Sequence, residues 1–85
     1  ESNSGAFIAY PNPGNGTVFV QLSENMVVGG MQIQLFDATG RLVESKTNLL
    51  SHIIEVHPDG PGMYCILLSD EEGNVIGSTR IIQTN

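Results

Sequence analysis

The chain has 85 residues, three Lys and Arg against nine Asp and Glu for a formal net charge of −6, and a single cysteine. A domain this small buries only about 60% of the surface its unfolded chain exposes, so the core is thin and a deep, water-excluding pocket is not expected. The charge balance opposes nucleic acid and anionic membranes, one cysteine excludes an internal disulfide and a multi-cysteine zinc site, and no apolar run reaches the roughly 18 residues of a spanning helix.

Residues 1–5, Glu1, Ser2, Asn3, Ser4 and Gly5, read as the polar remnant of an interdomain linker ahead of one domain over 6–85. They carry neither an initiator Met nor the basic and apolar segments of a secretion signal, so such a signal is expected outside the chain. Alternation of period two then recurs in short runs broken by Gly, Pro, Asn and Asp, which means strands. The first run, 6–10, is stopped by Pro11, Asn12, Pro13 and Gly14, whose prolines remove backbone donors. In 17–22, Val18, Val20 and Leu22 share one face; in 31–36, Met31, Ile33 and Leu35 do the same, with Gln32, Gln34 and Phe36 opposite.

Asp37, Ala38, Thr39 and Gly40 form a hairpin turn into a strand over 41–46, the Asp bonding amides ahead of it and the Gly tolerating a left-handed conformation. A strand over 51–57 sets Ile54 and Val56 with His52 on one face and Ile53, Glu55 and His57 on the other. Residues 63–68 are apolar on both faces, which predicts a central strand covered on both sides, or covered on one and lying under a neighbouring surface on the other, and makes Cys65 a small core residue. An acidic turn, 69–74, leads to the last strand, 75–83. About seven short antiparallel strands at this spacing predict an all-β, two-sheet sandwich.

No set of residues points to catalysis. Ser51 and His52 lack both a nucleophile elbow and an orienting acid. His52 and His57 fall on opposite faces of one strand and cannot share a metal, and Asp70, Glu71, Glu72 and Asn74 lack the ligand spacing of an EF-hand, so the acidic turn is read as solvated rather than as a calcium site. No cofactor, metal or catalytic residue is expected.

Four pieces in this order resemble the type A C-terminal sorting domain of the type IX (Por) secretion system. Tyr10, Pro11, Asn12 and Pro13 look like its opening motif; Asp37, Gly40 and Arg41 look like its D-x-x-G-R hairpin; Gly62 and Tyr64 look like its G-x-Y strand entry; Thr79, Arg80, Ile81 and Ile82 look like its basic-aliphatic final strand. The resemblance runs from about Tyr10 to Gln83 and implies an immunoglobulin-like sandwich that serves as the address of a larger exported precursor. It implies as partners the outer-membrane translocon and shuttle proteins of that system, a sortase-like peptidase that removes the domain, and an N-terminal passenger. It further implies passage through the periplasm to the cell surface or the medium.

Residues 79–83, Thr79, Arg80, Ile81, Ile82 and Gln83, are the expected recognition element, on the argument that a final edge strand offers unpaired backbone groups. The Pro11 to Pro13 turn, the Asp37 to Arg41 hairpin, Gly62 and Tyr64 are read as structural. Two rivals share the fold: a carbohydrate-binding or adhesion module, which wants exposed aromatic rings in a chain without Trp, and a homodimer joined through an edge strand.

Overall fold

The computed structural model describes residues 2–3 and 5–84; Glu1 and Ser4 of the expected linker, and Asn85, lie outside the described residues. The chain forms β1 (Ser2–Asn3), β2 (Phe7–Tyr10), β3 (Val18–Leu22), β4 (Gln32–Asp37), β5 (Leu42–Lys46), β6 (Ile53–Val56), β7 (Gly62–Ser69) and β8 (Val75–Gln83). They assemble into two antiparallel sheets, in the order β1-β2-β3-β6 and β5-β4-β7-β8. Since β3 pairs with β6 and β4 with β7, the chain crosses between sheets in Greek-key fashion, as immunoglobulin-like sandwiches do. The all-β sandwich read from alternation is therefore the fold found.

The period of two sorts each strand into a core face and an outer face. Phe7, Ala9, Val18, Val20, Leu22, Ile54 and Val56 bury from one sheet against Ile33, Leu35, Tyr64, Ile66, Leu68 and Ile81 of the other. Leu49, in the loop between β5 and β6, plugs the same core, while its neighbour Leu50 is fully exposed. The shortest dimension of the molecule, 19 Å, is that of two sheets about 10 Å apart with one layer of side chains outside each.

Two expectations need correction. The strand expected over 51–57 is only Ile53–Val56, because Ser51 Oγ accepts the Ile53 N–H in a local turn and the His57 N–H is drawn away to Glu44. The run 63–68 is buried on one face only. Tyr64, Ile66 and Leu68 are in the core, but Met63 is exposed and Cys65 and Leu67 are half-buried on an outer face that no further layer covers, so Cys65 is not a core residue.

Both open seams of the sandwich are bridged by polar contacts. Between β5 and β6, Glu44 accepts the His57 N–H at 2.7 Å and meets its ring Nδ1 at 3.1 Å. On the other side, β1 pairs with β2 through Ser2 opposite Ala9 and Asn3 opposite Ile8 and lies against β8. Farther along β8, the turn after β2 closes the seam.

Candidate functional site

The turn after β2 contacts the end of the chain. Asn12 Oδ1 accepts the Ile82 N–H at 2.9 Å, and Asn12 Nδ2 donates to the Arg80 carbonyl at 3.3 Å. Two residues on, the Gly14 N–H donates to the Ile82 carbonyl at 3.0 Å and the Gly14 carbonyl accepts the Thr84 N–H at 2.6 Å. A short polar side chain and a glycine backbone thus act as a miniature ninth strand along residues 80–84. Along the edge that the sequence suggested was open, the Arg80 carbonyl, the Ile82 N–H and carbonyl and the Thr84 N–H are therefore bonded within the chain.

Gly14 is buried and its position demands glycine on steric grounds. A Cβ there would stand 2.9 Å from the Pro11 carbonyl oxygen, 3.1 Å from Pro11 Cγ and 3.3 Å from Gln83 Nε2. That amide nitrogen is itself buried with no hydrogen-bond partner among the described residues.

The expected recognition residues divide by face. Ile81 and Gln83 point inward and are buried; Arg80 and Ile82 point outward and are exposed; Thr79 is intermediate. Only Arg80 and Ile82 of the five combine an exposed side chain with a backbone held by the Asn12 and Gly14 clamp.

The remaining motif residues meet at one end of the sandwich. Asp37 Oδ1 accepts the Thr39 N–H, the Thr39 hydroxyl and the Arg41 N–H, which is the geometry of an Asp-led turn. Gly40 takes a φ of 87°, a left-handed value that favours glycine. Arg41 then bridges two carboxylates: Nε to Asp37 Oδ2 at 2.9 Å and Nη2 to Asp59 Oδ2 at 2.6 Å. Asp59 also accepts the Tyr64 hydroxyl at 3.0 Å, while that hydroxyl meets the Gly60 carbonyl at 2.8 Å. A tyrosine at the start of the penultimate strand bonding back to the preceding loop is the tyrosine corner of immunoglobulin-like sandwiches. Gly62, with φ at 134°, lets the chain swing from that loop into β7. A cleft of about 350 Å³ runs beside this network, lined by the 37–39 turn and residues 59–64.

This packing of charges moves the acids one way. The Asp37 carboxyl is held at about 2, first by the Thr39 hydroxyl, then by the Arg41 and Thr39 amides and the Arg41 guanidinium, which outweigh partial desolvation. Arg41 and Tyr64 likewise depress Asp59. Burial alone would raise the Glu44 carboxyl, but its bonds from His57 reverse the direction. Groups with depressed folded pKa values contribute stability that is present above the ordinary carboxylate value near 4 and lost as pH falls through the folded value. Resistance to thermal unfolding should therefore weaken as pH drops from about 4 toward the Asp37 value of about 2. Asp37→Asn should be less stable at neutral pH and show a shallower acid slope; an acid slope equal to the parent's would sink this account.

Asp70 is consumed in its own turn, its Oδ1 accepting the Glu72 and Asn74 amides. Among the described residues no group of three His, Cys, Asp or Glu is placed to hold a metal ion. His52 Nε2 meets the Met26 carbonyl at 2.8 Å and His57 meets Glu44, so the two imidazoles serve different ends of the fold.

Sequence reasoning missed Gly14, Asp59 and Glu44. Gly14 stood inside the turn it described, and Asp59 sat in the loop before G-x-Y, but neither alternation nor turn chemistry says which distant group a turn will bind.

A family model described as the secretion system C-terminal sorting domain matches residues 8–83. That span holds Asn12, the Asp37 to Tyr64 network and β8. No curated protein and no solved structure matches the chain.

Proposed function

Because the chain belongs to the family of secretion system C-terminal sorting domains, we propose that it is the removable address of a larger precursor carried across the outer membrane by the type IX system. In this reading shuttle proteins and the outer-membrane translocon engage the domain after its passage through the periplasm. A sortase-like peptidase then detaches it from the N-terminal passenger, which reaches the cell surface or the medium. The domain itself performs no chemistry.

The observation that carries the reading is the state of the last strand. Arg80 and Ile82 are displayed outward while Asn12 and Gly14 hold the backbone on either side of them, so a receptor meets a fixed pattern and does not bear the entropy of ordering it. The peptidase needs unpaired backbone. The pairing of Ser2 and Asn3 with β2 therefore favours a cut ahead of Ser2, or one that follows detachment of β1.

The test is a reporter with an export signal, fused upstream of this chain and expressed in a host with a type IX system. Surface delivery of a reporter freed of the domain, read by its intact mass, is expected with the chain, and periplasmic retention without it. Equal delivery of both would defeat the proposal. Deleting 79–85 is a poor substitute for this comparison, since it also removes the buried Ile81 and Gln83.

The glycan-binding rival has one observation in its favour, the stacked pair Tyr10 and Phe19 on the outer face of the β2-β3 ladder, with centroids 5.7 Å apart. A glycan screen whose hits vanish in Tyr10→Ala would support it.

A further inference from the structure

We propose that the peptidase which removes the domain takes up β1 itself, so that Ser2 and Asn3 must leave β2 before the passenger is detached. The proposal rests on the sorting reading and names the segment through which its last step is controlled.

The attachment of β1 is slight. It is the outermost strand of its sheet and holds to β2 through two register pairs, Ser2 opposite Ala9 and Asn3 opposite Ile8. A pairing that short is marginal in water, and edge segments of this kind open locally at little cost in free energy. The rest of the hairpin is held independently. Phe7 to Tyr10 are also paired with Leu22 to Phe19 on β3, and Phe7 and Ala9 are anchored in the core. The clamp of Asn12 and Gly14 on residues 80–84 makes no use of β1. Opening β1 therefore leaves the address standing.

Cutting requires that opening. A groove that adds an extended peptide as a strand binds it through main-chain hydrogen bonds, and the side of β1 that faces β2 is already paired. Because β1 runs antiparallel to β2, its upstream end at Ser2 lies beside Ala9, at the end of β2 that leads into the Pro11 to Gly14 turn. The passenger thus joins at the clamped end of the sandwich. Swinging β1 out moves this junction clear of the domain and frees both sides of the strand for the groove. Hydrolysis then breaks one backbone C–N bond, with water supplying the hydroxyl of the new carboxyl group and the proton of the new amine.

Gly5 is the hinge for this motion. Its φ is 88°, in the left-handed region, and nothing lies within 4 Å of a Cβ built there. A side chain at Gly5 strains the turn between β1 and β2 without striking a neighbour.

The reporter fusion tests the proposal, with freed reporter and freed domain read by intact mass. Gly5→Val should release the reporter about fivefold faster, the effect of left-handed strain at one residue on a local opening equilibrium. Its Ser2 and Asn3 amides should exchange faster while those of β3 do not. Gly5→Asn, which tolerates the same conformation, should stay near the parental rate. In the opposite direction, Asn3→Cys with Ile8→Cys, in a Cys65→Ser background, joins residues that stand directly opposite and so within disulfide reach. That fusion should arrive at the surface uncut and release its reporter once dithiothreitol is added. Release of the cross-linked fusion at the parental rate, or a parental rate in Gly5→Val despite faster exchange, overturns the inference and leaves the sorting reading intact. A parent delivered but never cut overturns the inference together with the peptidase step, and a parent retained in the periplasm overturns the sorting reading as well. Thermal unfolding identifies any variant that fails to fold, and the other then decides.

Discussion

Ile81→Ala should destabilise the domain by about 2–5 kcal/mol, the range for removing a fully buried branched aliphatic side chain and leaving part of the cavity. Ile81 is completely buried and pairs with Tyr64 across the β7-β8 ladder. It therefore lies beside the tyrosine whose hydroxyl anchors the Asp59 and Gly60 loop. Small domains have only about 5–15 kcal/mol in total, so the substitution threatens the fold itself, and delivery of a fused reporter should fall with it. The urea midpoint checks the first effect. The adjacent Ile82→Ser keeps the same backbone bonds and loses only an exposed side chain, so its cost should stay within about 0.5 kcal/mol. Equal midpoints for Ile81→Ala and Ile82→Ser would contradict the alternation of faces along β8.

Gly14→Val should open the clamp on the C-terminal strand. Its Cβ would come within 2.9 Å of the Pro11 carbonyl oxygen, a contact with backbone that cannot rotate away, and forcing such a group into a packed site costs about 1–3 kcal/mol. The readout specific to the clamp is amide exchange. The Ile82 and Thr84 N–H groups, whose acceptors are Asn12 Oδ1 and the Gly14 carbonyl, should lose protection sooner than the centre of β7. Gly16→Val is the control, since nothing lies within 4 Å of a Cβ at Gly16. Similar exchange in both variants would show that the turn does not hold the strand.

Much of the fold was legible because period-two alternation is a direct record of which face meets the core. Val18, Val20 and Leu22 and then Ile33 and Leu35 were placed on the buried face from the sequence and are there. The hairpin at Asp37 was legible for another reason, since turn chemistry acts within four residues. The misreadings share a cause. A run such as Met63 to Leu68 shows that apolar side chains exist on both faces but not whether a second layer covers both, and here only one layer exists. The site was legible as a set of motif residues but not as contacts. That Arg41 bridges to Asp59, that Asn12 reaches Ile82 and that Glu44 reaches His57 are properties of strands brought together by the Greek-key crossing, and no local pattern encodes them.

The bond between Asn12 and Ile82 spans 70 positions of chain. Contacts of such separation form late, after the intervening loop entropy has been overcome, and this one cannot form before residue 82 has left the ribosome. A chain truncated ahead of Ile82 thus carries Tyr10 to Pro13 and the Asp37 hairpin but not the locked final strand. The clamp therefore ties the turn after β2 to the last strand across nearly the whole domain, so that the order of β8 depends on residues at both of its ends.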